Sequence, residues 1–293
     1  TVQVQEISMM GGGDAFNQAC VLAALGEKPA LLSRMADDDS GRMMRAALQK
    51  RGIDDRFVFS DPDTGTSTCI VLIKENAQRS FLTFKGCLRN FGDGDIDYTC
   101  VRQARLVSIG GLFSLPSFDR SASIRLLQAA KDAGCITVVD TKYDAFHIGL
   151  QGIGNLLEYT DYFFPSYDEA AALSGLTEPA QIARFFRSRG AKHVGVKLGA
   201  DGCYVCSNAF CGTVAPFCTS VLDTTGAGDN FMAGLIHGVL RGWTIQDCVT
   251  FANAAGALAC SRLGATSDLD YLQPIRNILS QTEAGTRLVK EGI

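Results

Sequence analysis

Residues 106–140 read "LVSIGGLFSLPSFDRSASIRLLQAAKDAGCITVVD", an apolar run, a helical stretch and a second apolar run. "LVSIGG" (106–111) and "CITVVD" (135–140) are nearly continuous apolar segments, as strands buried on both faces are. Between them Leu126, Leu127, Ala130 and Ala133 recur at helical spacing. The pattern repeats downstream, where "DYFFPS" (161–166) leads through a helical "QIARFFRSRG" into "HVGVKLG" (193–199). Such repeats predict an α/β fold, a doubly wound and mostly parallel sheet flanked by helices. Its crossovers are expected to be right-handed, with the ligand beyond the carboxyl ends of the strands.

Upstream the reading changes. A helix is expected from Asp14 ("DAFNQACVLAALG"), which could cap it, then an apolar run over Ala30–Met35 and another helix, "SGRMMRAALQKRG". "STCIVLIK" (67–74) and "RSFLTF" (79–84) read as strands between polar turns, and with "TVQVQE" at the start they form a small sheet outside the main core. No linker rich in Pro, Gly or Ser divides the chain. One domain over residues 1–293 is therefore expected, with lid strands near 1–10 and 55–90 and a nucleotide-binding part near 160–270.

The 293 residues are 46% hydrophobic and 20% charged, with a formal net charge of −4 and no basic block. That speaks against nucleic-acid or anionic-membrane partners, which need concentrated Lys and Arg. No apolar run reaches the roughly 18–20 residues of a membrane span, and no signal-peptide pattern opens the chain. The 11 cysteines are scattered, several of them inside apolar runs. Cys203-Tyr-Val-Cys206 has the spacing of a metal or redox pair, but a strand sends these two thiols to opposite faces and no His lies nearby. A reduced, cytoplasmic protein is the simpler expectation.

The chemistry is concentrated in "DTTGAGDNFMAGLIHGVLRGW", residues 223–243. Gly226-Ala227-Gly228 makes a small-residue turn, and Phe231, Met232, Leu235, Ile236 and Val239 mark the apolar side of the helix that follows. Free amides converge at such a helix start and form an anion site. Asp229 lies in the first turn, where a carboxylate alone would be read as a cap or a dipole partner. Phosphoryl transfer, however, needs amide donors for the phosphate oxygens and a base at the attacking hydroxyl, and this turn supplies both.

"DTTGAGDNFMAGLI" (223–236) resembles the second signature of the ribokinase-like (PfkB) carbohydrate kinase family at every constrained position. The resemblance implies a ribokinase-like fold with a small β-sheet lid. It implies that Asp229 is the catalytic base and that the amides of Gly226, Ala227, Gly228 and Asp229 form the anion hole. "GGGDAFNQA" (11–19) is similar to the family's N-terminal signature, placing Gly12 and Gly13 at the lid hinge and Asn17 on the sugar. "ADDDSG" (36–41) resembles a further segment through Asp38 and Gly41, with Ala36 at the usual glycine.

In "FPSYDEAAALSG" (164–175), Glu169 fits the acidic position that helps organise Mg²⁺, although Ser166 replaces the usual Asn. In "VKLGADGCYV" (196–205), Gly199 and Gly202 match the nucleotide edge. Lys197 stands where most relatives carry Thr, either facing the ATP phosphates or solvated at the strand end. Thr244 reads as a cap for the helix that carries Asn253, which matches a position near the adenine. Asp223, Thr225 and Ser267 resemble a monovalent-cation loop, implying K⁺ beside ATP and Mg²⁺. Relatives begin with an extra strand whose Asn-x-Asp motif holds sugar hydroxyls, and "TVQVQEIS" is expected to start downstream of it.

The implied activity is transfer of the ATP γ-phosphoryl group to a hydroxyl of a small sugar. A nucleoside acceptor and a non-catalytic sugar- or nucleotide-binding regulator are the alternatives. Loss of the base would mark the regulator, and Asp229 is present. No P-loop string, no protein-kinase triplet and no G-x-G-x-x-G joining a strand to a helix occurs. The family's habit of pairing through the lid implies a homodimer, with which the alternating lid strands are compatible.

Overall fold

The computed structural model describes residues 7–73, 79–266 and 270–290. Its centre is a six-stranded sheet built from β5 (Leu106–Leu112), β6 (Ile136–Thr141), β7 (Tyr162–Phe163), β8 (His193–Lys197), β9 (Cys203–Cys206) and β10 (Cys211–Val214). They lie in the order β10-β9-β8-β7-β6-β5. The first four pair in parallel, and β9 and β10 continue the edge antiparallel. The sheet is thus mixed along the side that was read as the nucleotide edge.

Alternation along each strand sorts the core into two layers. Val139, Phe163, Val194 and Val196 pack with α4 (Ser123–Asp132) and α7 (Pro179–Arg187) through Leu126, Leu127, Ile182 and Phe186. Val138, Phe164 and Val205 face the other way, onto α8 (Ala227–Leu240) and α9 (Ile245–Cys260) through Phe231, Met232, Leu235 and Val249. Of the helical stripe read from sequence, Leu126, Leu127 and Ala130 are buried, whereas Ala133 is exposed at the helix C-cap. Cys203 and Cys206 fall on opposite faces, as expected of a strand. Cys206 is joined to Cys211 by a disulfide across the β9–β10 pair, which corrects the expectation of reduced thiols throughout.

Residues 7–105 precede the central sheet. α1 (Asp14–Ala24) packs on α8, and β1 (Ser33–Ala36) pairs in parallel with β2 (Val58–Asp61). β3 (Thr68–Ile73) and β4 (Arg79–Phe84) make an antiparallel hairpin. The expected lid strand near 1–10 falls mostly on residues 1–6, which lie outside the described residues; residues 7–10 form no strand. Asp38 caps α2 (Asp39–Lys50) by accepting from the Gly41 amide at 2.7 Å, and also takes the Thr66 amide at 2.8 Å and its hydroxyl at 2.7 Å. One carboxylate so ties the base of the hairpin to α2. Three short helices complete the described elements in the middle of the chain: α3 (Tyr98–Val101), α5 (Gly149–Gly152) and α6 (Tyr167–Ser174). α10 (Leu272–Leu279) and α11 (Glu283–Lys290) close it. Among the described residues no helix is long and apolar enough to cross a membrane.

Candidate active site

α8 begins at the small-residue turn. Gly226 is its N-cap with φ 76°, in the left-handed region, and a Cβ there would lie 2.6 Å from Ala265 Cα. Only glycine allows residues 261–266 to pass this close. Asn230 locks the approach: its Nδ2 donates to Gly226 O at 2.8 Å and Ala265 O at 2.9 Å. Asp223 adds a second tie, accepting from the Thr225 amide at 2.8 Å and the Gly264 amide at 2.9 Å. The Asp223 carboxylate, read from sequence as a cation ligand, therefore has both oxygens on loop amides. Ser267 lies outside the described residues. The Ala227 amide closes a turn on Thr224 O at 3.3 Å, while Gly228 and Asp229 lie in the first turn, where helix geometry leaves amides without a preceding carbonyl.

Asp229 is buried, and its Oδ2 accepts from Asn17 Nδ2 at 2.7 Å. Burial pushes its carboxyl up to about 7, helped by the like charges of Asp14 and Asp140; the Asn17 bond and Lys142 act in the opposite sense. Asn17 was expected on the sugar; its amide nitrogen here is on Asp229. Its Oδ1 is buried with no partner among the described residues.

α1 reaches this point because β5 carries two glycines, Gly110 and Gly111, before its last residue. A Cβ on Gly110 would meet the Ala15 amide nitrogen at 2.9 Å, and one on Gly111 would meet Asp14 Oδ2 at 2.3 Å. Asp14 does not cap α1. Gly13, at φ 104°, holds the N-cap position, and Asp14 is the first helical residue, ion-paired to Lys142 Nζ at 3.0 Å. Among the described residues, chain neighbours aside, nothing lies within 4 Å of a Cβ placed on Gly12 or Gly13.

Lys197 matches neither expected reading in full. It is not a solvated strand end: its Nζ is 2.6 Å from Asp140 Oδ1, with Asp140 buried and Lys197 largely so. The same Nζ is 3.7 Å from the Cβ position on Gly228, so the ammonium stands beside the amides at the start of α8. Burial opposes the Lys197 charge, yet Asp140 more than offsets it and holds the lysine above its ordinary range. Burial dominates at Asp140 and pushes it up to about 6 despite Lys197.

Glu169 Oε2 accepts from the Ser166 amide at 2.9 Å and from Thr141 Oγ1 at 2.8 Å, forming a capping box at the start of α6. Ser166 thus serves here as a helix cap. Glu169 also borders an open pocket with Tyr143, Asp144, His147 and Gly149. No group of three or more His, Cys, Asp or Glu able to hold a metal occurs among the described residues. That donor set fits Mg²⁺ held mainly by water and phosphate, and does not fit an all-protein cage.

At the antiparallel edge, a Cβ on Gly202 would lie 2.3 Å from Val214 O. Asn253 Nδ2 donates to Val214 O at 3.1 Å and Ala215 O at 2.9 Å. Both residues therefore pin the segment after β10, and Gly199 opens the turn between β8 and β9. Thr244 caps α9 as expected, accepting from the Asp247 amide at 3.2 Å.

Sequence reasoning missed Asp140, Lys142, Asn230 and the Gly110–Gly111 pair. Two of them carried a signal, because Asp140 ends an apolar strand run at the carboxyl edge and Asn230 interrupts an apolar helix.

A family model described as "pfkB family carbohydrate kinase" matches residues 1–271. The chain is 26% identical to fructokinase-2 of Oryza sativa subsp. japonica over 287 residues, 92% of this chain and 85% of that protein. The structure of Arabidopsis thaliana ribokinase complexed with ribose and ATP superposes with a TM-score of 0.79 at 26% identity, covering 95% of this chain and 90% of that one. A putative ribokinase II from E. coli, in complex with ATP and Mg²⁺, gives a TM-score of 0.83 at 22% identity, covering 96% and 94%.

Proposed function

The chain belongs to the pfkB family of carbohydrate kinases, and from that membership we propose that it moves the γ-phosphoryl group of ATP onto a hydroxyl of a small sugar, with Asp229 as the base. It is an ATP-dependent carbohydrate kinase. The observation that carries the assignment of the base is the burial of Asp229 in the first turn of α8, hydrogen-bonded to Asn17 and pushed up to about 7. A carboxylate poised there can take the acceptor proton near neutral pH.

In this reading the acceptor hydroxyl lies against the free face of Asp229, and the buried Asn17 Oδ1 is an acceptor for a second sugar hydroxyl. The amides at Gly226–Asp229 receive the transferring group, and Lys197 adds positive charge beside Gly228. Gly199, Gly202 and Asn253 shape the edge on which the nucleotide lies. Mg²⁺, when bound, would neutralise phosphate charge, with Glu169 holding its water shell. K⁺ would sit in the loop that Asp223 and Thr225 shape. Support for the sugar, ATP and Mg²⁺ comes from the ribokinase bound to ribose and ATP and from the ribokinase II bound to ATP and Mg²⁺.

The β3–β4 hairpin would act as the lid, turning about Gly12 and Gly13 to exclude water from the transfer. Ile70, Val71, Leu72, Phe81, Leu82 and Phe84 are all exposed on it, and consecutive strand residues point to opposite faces. One face would close over the acceptor and the other would pair with a second copy of the chain.

The test is ADP release from MgATP, with K⁺ present, across ketoses, aldoses, sugar acids and nucleosides. A sugar-dependent signal that disappears in Asp229→Asn is expected. A signal confined to nucleosides would reassign the acceptor class, and an unaltered Asp229→Asn rate would remove Asp229 from the mechanism.

A further inference from the structure

Two charged groups near Asp229 have no place in the reaction as described. Asp14 opens α1, and Asn17, which holds the base, follows one turn later on the same face. Lys142 lies just past β6, where its amide donates to Leu112 O at 2.8 Å and so fastens the exit of β6 to the end of β5. Its Nζ reaches 3.0 Å from Asp14 Oδ1, while the other Asp14 oxygen rests against Gly111. The Asp14 side chain is 16% exposed and that of Lys142 53%, so the pair spans from the interior to the mouth of the site.

The charges around Asp229 are unbalanced. Asp14 faces it from α1 and Asp140 from β6, and Glu169 on α6 joins them in the field at Lys197. Against these stand two ammonium groups, Lys197 and Lys142, and Lys197 is committed to Asp140 at 2.6 Å. Lys142 is the ammonium left to offset the carboxylates on the α1 side. Burial disfavours its charge, but Asp14, then Asp229 and Asp140, outweigh that and hold it above the ordinary lysine range.

We infer that Lys142 and Asp14 are positioning residues for the base: Lys142 favours the charged form of the Asp229 carboxylate, and Asp14 opposes it by like charge and by partly neutralising Lys142. The chemical importance of this rests on Asp229 being the base, although the electrostatic relationship does not. The two residues have opposite signs at one target, so their removal has opposite effects. Because Lys142 is half exposed, the effect weakens with added salt.

The experiment is a ¹³C carboxyl titration of Asp229 in the protein without ligands, its resonance assigned by its loss in Asp229→Asn. Lys142→Met should raise the midpoint by about half a pH unit or more at low salt, and Lys142→Arg should restore it. Asp14→Asn should lower it. Midpoints unmoved in both neutral variants, or moved in the same direction, would overturn the inference. The titration needs no turnover, so it separates the two claims. Opposite shifts in a protein that phosphorylates nothing would uphold the electrostatics and remove the catalysis; unmoved midpoints in an active kinase would do the reverse.

Discussion

Asn17 Nδ2 donates to Asp229 Oδ2 at 2.7 Å across 212 residues of chain, joining the first described helix to α8. Asn17 fixes which carboxylate oxygen is occupied and so leaves the other to face an acceptor. Asn17→Ala should lower kcat on the order of tenfold or more with little change in the KM for ATP, since it removes orientation and not nucleotide contacts. Asp229→Asn should lower kcat by orders of magnitude with ATP affinity retained. Steady-state kinetics on both variants check this.

The raised Asp229 carboxyl sets a pH dependence. It is protonated below about 7 in the free enzyme, so kcat/KM should rise with pH through that value and then level off. Stability runs the other way. A carboxyl whose folded pKa is raised from 3.8 contributes stability that is fully present below the unfolded value and lost as pH rises through about 7. Asp229→Asn should therefore raise Tm by a few degrees at pH 8.5 and change it little near pH 4. Thermal melts across pH, compared with the rate profile, test both signs.

Lys197 and Asp140 form a buried pair at 2.6 Å. Lys197→Met leaves Asp140 as an unpaired buried carboxyl and should cost about 3–5 kcal/mol. The double variant Lys197→Met/Asp140→Asn should recover most of that stability in denaturant titrations. It should still bind ATP more weakly, because the ammonium beside Gly228 is gone. Recovery of affinity along with stability would assign Lys197 to folding alone.

Gly226 combines φ 76° with Ala265 Cα 2.6 Å from any Cβ. Gly226→Ala should cost about 1–3 kcal/mol and lower kcat by displacing the start of α8. Gly12→Ala is the contrast, since nothing lies within 4 Å of its Cβ position and Tm should not change. A lower kcat in Gly12→Ala at unchanged Tm would support its role as a hinge.

The parallel part of the sheet was legible because β5, β6, β7 and β8 are buried on both faces and read as nearly continuous apolar runs. α8 was legible because glycine, acid and apolar spacing all fall within fourteen residues of chain. The reading failed where identity and partner are decoupled. Asp14 was read as a cap and is an ion-pair partner. Cys206 looked like a reduced thiol until β10 brought Cys211 opposite it.

Local sequence by itself determined the α/β class, the position of the Asp229 helix and the small-residue turn at Gly226–Gly228, because periodicity and turn composition act within a few residues. Only the tertiary structure decided that Asn17, Asp14, Lys142, Asp140 and Lys197 gather around that helix start. They come from α1, β6 and β8 and the residue just past β6: β6 and β8 are strands of one sheet, and α1 packs on α8 and β5. Charge interactions depend on distance and burial, and neither can be read from the order of residues along the chain.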